Sequence, residues 1–216
     1  MALSFPLSAS QFFELAGVKT VAFNLRQMQE VSSLGTGEIR AADLAPARFE
    51  AEIETVPMLH GAAEAKKALL NSLRGAVNGF YLYPVTLPYP QADSDGNTYG
   101  SSAPTVSART DDYTLSIAGL PGSYEITAGD YLSIVWSASR TYLGQFVANA
   151  TASGTGALNG ASVAPALPAG VASSDAVSLA KPQGLFRLVP GSVHASSINP
   201  LMQSLKFTAI QSHEAA

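Results

Sequence analysis

The sequence predicts a mainly β chain with one helix lying against its core. Three observations carry this. Across residues 47–54 the apolar Ala47, Phe49, Ala51 and Ile53 alternate strictly with Arg48, Glu50, Glu52 and Glu54, the period of a strand with one buried face. Across 60–74 the period lengthens to three or four, with Ala62, Ala65, Leu69 and Leu73 aligned and Glu64, Lys66 and Lys67 outside, as in an amphipathic helix. Beyond Pro84, short alternating runs recur between Gly- and Pro-rich turns with almost no helical pattern, as in a small all-β sandwich or barrel.

The chain opens with Phe5-Pro6, after which Ser8 or Ser10 can cap a short helix ended by Gly17 and docked by Phe12, Phe13 and Leu15. Residues 18–25 form a strand, with Val21, Phe23 and Leu25 on one face. The polar run 27–37, with Gly35-Thr36-Gly37, predicts a loop, and 38–42 a further strand up to the Ala45-Pro46 break. Pro57 ends the strand that follows, because proline cannot donate to a ladder. Gly75 closes the helix, and Arg74 suits its negative end. Phe80, Tyr81, Leu82 and Tyr83 then make a short aromatic strand stopped by Pro84. A helix that crosses between two strands in this way can cover a sheet.

Pro84, Pro88 and Pro90, followed by the polar stretch 91–102, mark a boundary or long loop. Next come an alternating Tyr113, Leu115 and Ile117, a turn at Leu120-Pro121-Gly122, and strands at 131–136 and 140–150. On the second of these, Leu143, Gln145 and Val147 face away from Tyr142 and Phe146. Weaker strands fall at 157–163 and 175–179. Lys181-Pro182-Gln183-Gly184 is another break, 185–189 a strand, and 190–200 polar and irregular. Leu205, Phe207 and Ala209 alternate in a last strand, and the tail 211–216 is expected to fray. The organisation is discontinuous. Residues 1–84 and 185–216 make one sheet-and-helix domain, with its helix at about 60–74, and 85–184 form an inserted, peripheral all-β domain.

A formal net charge of -4 with only 13% charged residues gives no electrostatic signature of sequence-specific nucleic-acid binding. The absence of cysteine excludes disulfides, thiolate metal sites and a thiol nucleophile. Met1 is followed by no secretory pattern, and no apolar run approaches the roughly 18–20 residues of a spanning helix, so the sequence reads as soluble, without membrane insertion. His60, His194 and His213 share no metal-ligand spacing and have no local carboxylate. No nucleophile elbow, P-loop or dinucleotide fingerprint is present. Asp93-Ser94-Asp95-Gly96-Asn97 lacks the ligand ladder and terminal Glu of a calcium loop and reads as a turn. Asp111-Asp112 reads as a solvated strand end. No catalytic, cofactor-binding or metal residue is nominated, no cofactor is implied, and an enzyme is not expected. The row Glu50, Glu52, Glu54 is either an exposed sheet face or a subunit contact or lumen-facing surface. Trp136, Tyr131 and Tyr142 are either core aromatics, the commoner case, or a stacking platform for a sugar or base.

Several strings carry a family resemblance. Leu34-Gly-Thr-Gly-Glu-Ile-Arg-Ala-Ala-Asp-Leu-Ala-Pro46 leads into Arg48-Phe-Glu-Ala-Glu52, Pro57-Met58, Leu73-Arg-Gly75 and Gly79-Phe80, and later come Ala128-Gly-Asp-Tyr-Leu132 and Pro182-Gln-Gly-Leu-Phe-Arg-Leu188. In order and spacing the chain resembles minor tail proteins of long-tailed (siphovirus-like) bacteriophages and gene transfer agents, most of all the distal tail class. The resemblance implies a tail-tube-like β-sandwich flanked by a helix, with a peripheral OB-like or galectin-like domain at 85–184. It also implies a structural virion protein of the tail tip, made in the bacterial host cytoplasm, that forms a homohexameric ring joining the tail tube to the baseplate. The partners implied are further copies of itself, the tail tube protein, the tail hub or baseplate, and the tape measure protein. On this reading 27–37 contacts a neighbouring subunit or the layer above. The alternative is a carbohydrate-binding tail-tip module whose inserted domain touches the host surface.

Overall fold

The computed structural model describes residues 3–12, 17–137 and 139–214. These residues are mainly β. After a short helix α1 (Ala9–Phe12) come β1 (Val18–Ser33), β2 (Ile39–Thr55), β3 (Met58–Leu59), helix α2 (His60–Ser72) and β4 (Gly79–Leu82). The middle of the chain holds β5 (Thr105–Arg109), β6 (Thr114–Ala118), β7 (Glu125–Ile126), β8 (Tyr131–Trp136) and β9 (Arg140–Phe146). It continues with β10 (Ala150–Thr151), β11 (Leu158–Ala164) and β12 (Ala176–Ser178). The end of the chain supplies β13 (Gly184–Leu188), β14 (His194–Asn199) and β15 (Met202–Gln211).

Two larger β assemblies result, beside a two-stranded pairing of β7 with β10. A seven-stranded sheet runs β1-β2-β15-β13-β4, with β14 and β3 also paired to β15. It joins the two ends of the chain: Lys206 lies opposite Glu54, Phe207 opposite Ile53 and Ala209 opposite Ala51. The other assembly is a closed barrel in the order β5-β6-β11-β9-β8-β12, built wholly from the middle of the chain. Closure leaves this unit with no unpaired edge.

The alternation on β2 sets the sheet's inner face. Phe49, Ala51 and Ile53 are buried with Phe207 and Ala209 of β15 and Phe80 of β4. Helix α2 covers them, but with a different stripe from the one expected. Ala63, Leu70 and Leu73 are buried, whereas Ala62 and Ala65 are exposed. Positions 63, 66, 70 and 73 share a helical face as well as 62, 65, 69 and 73 do. The larger buried area of Leu70 beside Leu73 selects the former and half-buries Lys66, whose ammonium pKa is lowered by that burial. At the helix end Arg74 as well as Gly75 adopts positive φ (54° and 66°). Of α1, Phe12 packs on Phe80 with ring centroids 4.7 Å apart, while Phe13 and Leu15 lie outside the described residues.

Three segments differ from expectation. Residues 27–37 are not a loop: β1 continues to Ser33, the turn is confined to its tip, and β2 runs unbroken through Pro46. Cross-strand pairing stabilises a polar ribbon that has no hydrophobic period of its own. Residues 190–200 contain β14, paired from His194 opposite Lys206 to Asn199 opposite Met202. The tail does not fray through its described part. Gln211 and Ser212 are 1% and 5% exposed.

That tail is the seam between sheet and barrel. The Gln211 side chain accepts from Phe49 N–H (3.2 Å) and donates to the Leu143 carbonyl (3.1 Å). Ser212 N–H donates to Leu185 O (2.8 Å), and Leu185 N–H donates to Thr141 Oγ1 (3.0 Å). Strand β9 is buried on both sides. Tyr142 and Phe146 point into the barrel, and Leu143 points into the sheet's core. A Cβ at Gly184 would sit 3.0 Å from Leu143 Cβ, so glycine there lets β13 rest directly on β9.

Candidate functional site

The distal halves of β1 and β2 form a two-stranded arm. From Gln29 to Pro46 every residue is exposed, so this ribbon lies on no core. The turn explains how it forms. Gly37 N–H donates to Leu34 O (2.9 Å), Leu34 N–H donates to Glu38 O (2.8 Å), and Gly37 has φ 86°. This is a three-residue hairpin loop closed by a left-handed glycine. Pairing runs back from Ser33 opposite Ile39 through Val31 opposite Ala41 to Gln29 opposite Asp43, and Gln29 Nε2 donates to Asp43 Oδ1 at 2.7 Å. At the usual rise per residue, the arm reaches about 25 Å from Arg26 to its tip.

Three properties single the arm out as the candidate site. Both of its edges lack a partner among the described residues. β1 ends the sheet's strand order, and β15 pairs β2 only between Glu50 and Glu54. The opposite edge of the sheet is not bare, since Leu7 bonds to Gly79 O and Tyr81 N–H beside β4. The arm also exposes large apolar side chains, with Ile39, Leu44 and Val31 at 71%, 69% and 58%. Finally, an open groove of about 530 Å³ lies at the arm's root, between Leu25, Leu44 and Pro46 on one side and Tyr113 and Pro165 of the barrel on the other. A solitary two-stranded ribbon is marginally stable in water, and unpaired edges accept further strands.

The acidic row of β2 lies on the sheet's outer, solvent-facing side, and each carboxylate is paired. Lys19 meets Glu54 at 2.8 Å, Lys206 meets Glu52 at 3.3 Å and Arg26 meets Glu50 at 3.3 Å. The Lys19 hydrogen bond and charge hold the Glu54 carboxyl below the ordinary range. The face is therefore charge-balanced rather than an acidic field.

The other residues singled out in the sequence take the following places in the fold. Asp93 accepts from Tyr99 N–H (2.7 Å), Thr98 N–H (3.1 Å) and Tyr124 O–H (3.2 Å). Burial pushes its pKa up, but these bonds outweigh it and the net shift is downward. Asp93 thus folds the 93–99 turn, as the turn reading has it. Asp130, fully buried and not marked by any sequence pattern, receives Gln91 N–H and Thr127 N–H (2.9 and 2.8 Å), tying the 85–104 passage to the barrel. Asp112 pairs with Arg109 at 2.6 Å on the surface. Trp136 (3% exposed) and Tyr142 (0%) belong to the barrel core, and Tyr131 packs between Phe23 and Phe49. None of the three is a surface stacking platform. His60 Nδ1 shares a hydrogen bond with Gln203 (2.9 Å), His194 opens β14, and His213 packs on Trp136 and Tyr142. Among the described residues no group of three or more His, Asp or Glu could hold a metal ion. No described helix is long and apolar enough to cross a membrane.

Fold and site together define a mainly β protein in which a closed barrel and a helix-backed sheet support a projecting hairpin arm. No protein-family model matches the chain, and a search of curated proteins finds no match.

Proposed function

We propose that this chain is a structural subunit of a phage tail tip, assembling through its arm into a ring that joins the tail tube to the baseplate, in the manner of distal tail proteins. The observation that carries the reading is the arm itself, with two edges unpaired among the described residues, no core of its own, and exposed Val31, Ile39 and Leu44 along its length. Its two edges, β1 and the outer part of β2, are different surfaces on opposite sides of one ribbon. Contacts between different surfaces are heterologous and close into a ring when the rotation allows. Side-by-side arms satisfy each other's edge N–H and C=O groups and bury these apolar side chains, which stabilises in the assembly a ribbon that is marginal alone. The sequence resemblance supplies the hexamer and the neighbours on the ring's two faces. Of the three aromatics nominated for the carbohydrate-binding alternative, Trp136 and Tyr142 are buried in the barrel and Tyr131 is half-buried against Phe23 and Phe49.

Negative-stain electron microscopy of the purified chain tests this. The reading expects rings with six-fold projections. It also expects none from a variant in which residues 29–43 are replaced by a short Gly-Asn turn. Rings that persist in that variant would contradict the arm's role.

A further inference from the structure

A pocket on the sheet's outer side, away from the arm, carries an incompletely used arginine. It has a volume of about 320 Å³, apolar walls from Val189, Pro190 and Ile210, and Arg48, Arg187 and Glu214 in its lining. Arg187 on β13 is held firmly. Its Nη1 donates to the carbonyls of Ala76 and Val77 (2.7 and 2.8 Å), and its Nη2 donates to Glu214 Oε2 (2.7 Å). Its Nε is buried and has no hydrogen-bond partner among the described residues.

Nε–H and one Nη–H leave a guanidinium side by side, at the spacing of the two oxygens of a carboxylate. Arg187 offers that fork with one prong used. Glu214 lies at the mouth, its side chain 73% exposed, and supplies a single oxygen. Its backbone N–H donates to Ser212 Oγ (3.3 Å). Arg48 adds a second cation, whose Nη1 donates to Gln211 O at 3.5 Å. A buried N–H without an acceptor is costly, and a ligand bringing both oxygens removes that cost.

We propose that this pocket recognises an acidic side chain carried between apolar residues on an extended segment of another protein chain, and that Glu214 is the weak intramolecular occupant such a segment displaces. The apolar walls take the flanking side chains, and the Arg187 fork takes the carboxylate bidentately. A tethered competitor acts at an effective concentration in the millimolar range. Removing the Glu214 charge therefore strengthens binding of an outside carboxylate. The inference stands apart from the ring reading and survives or falls without it.

The test is an NMR titration of the full chain, following the Arg187 Nε–H resonance. The probes are acetyl-Leu-Glu-Leu-amide, its Gln counterpart, and isovalerate as a free small carboxylate. In Glu214→Gln the Glu peptide is expected to bind at least tenfold tighter than the Gln peptide and about fivefold tighter than to the unaltered chain, with a downfield shift of the Nε–H signal. Arg187→Lys keeps the charge but loses the fork and is expected to lose at least tenfold. Because Arg187 also anchors Ala76 and Val77, Arg48→Gln serves as the second variant, with a loss of at least threefold expected on the same peptide. Equal binding of the Glu and Gln peptides, or an unmoved Nε–H signal, overturns the site. Isovalerate binding as tightly as the Glu peptide overturns the assignment to a protein segment.

Discussion

Phe49 packs at the join of sheet and barrel. Its ring lies 6.1 Å from that of Phe23 and 6.0 Å from that of Tyr131, and the residue is 3% exposed. Phe49→Asp puts a carboxylate there at a cost of several kcal/mol, so the variant is expected to give no soluble folded protein on expression. Asp93 is a milder case. Asp93→Asn removes the charged acceptor of two backbone N–H groups and the Tyr124 hydroxyl, and about 1–3 kcal/mol of stability should be lost in urea denaturation, with earlier proteolytic cutting in 91–102. His213 gives the chain a pH dependence. Burial first, and the charge of Arg48 second, push its pKa down from 6.5 to about 4. The folded chain therefore resists a proton that the unfolded chain accepts. The stability tied to this group is complete above pH 6.5 and is lost as the pH falls towards 4. His213→Phe keeps a ring against Trp136 and Tyr142 and removes the titration. It is expected to flatten the stability profile over that window by about 1–3 kcal/mol. An unchanged slope would place His213 in water.

At the scale of elements, the arm departs furthest from its sequence. Where a strand has a core face, its period of two is visible, and β2 from Phe49 to Ile53, β8 and β15 could be read directly. The outer halves of β1 and β2 bury nothing, so no alternation marks them, and Gln27, Gln29, Glu30 and Ser32 read as a loop. The available signal was Leu34-Gly35-Thr36-Gly37, which is turn chemistry with a left-handed position at its end. The same reasoning covers β14, which borrows its order from β15. For α2 the type and extent were legible but not the buried stripe, because two neighbouring stripes of small and apolar residues compete. Of the carboxylates that hold the loop, Asp93 was legible as part of a turn, whereas the role of Asp130 was not, because it accepts from the backbone N–H groups of Thr127 and of Gln91, far along the chain. The arm's tip can be tested without touching the core. Ile39→Asp changes a residue that is 71% exposed, so thermal unfolding of the isolated subunit should move by less than about 0.5 kcal/mol. Assembly should weaken sharply in sedimentation velocity.

For the molecule as a whole, the sheet is closed by the chain's two ends, and the barrel lies between them in sequence. Gln211, Ser212 and Thr141 bond across the seam, and Leu143 and Tyr131 bring barrel residues into the sheet's core. The barrel is thereby held beside the root of the arm, where Tyr113 and Pro165 meet Leu25 and Leu44 across the open groove. In the proposed ring the arm's two edges, its tip and the groove would face neighbours, while the opposite sheet edge is occupied by Leu7. The proposed ring requires the arm to be the element through which copies meet. Light scattering on the size-separated full chain, beside a chain lacking residues 29–43, measures this most directly. The expected result is a molar mass about six times that of the subunit for the full chain, a number implied by the resemblance alone, and a folded monomer for the shortened one. A full chain that stays monomeric up to several hundred micromolar, or a shortened chain that still assembles, would contradict it.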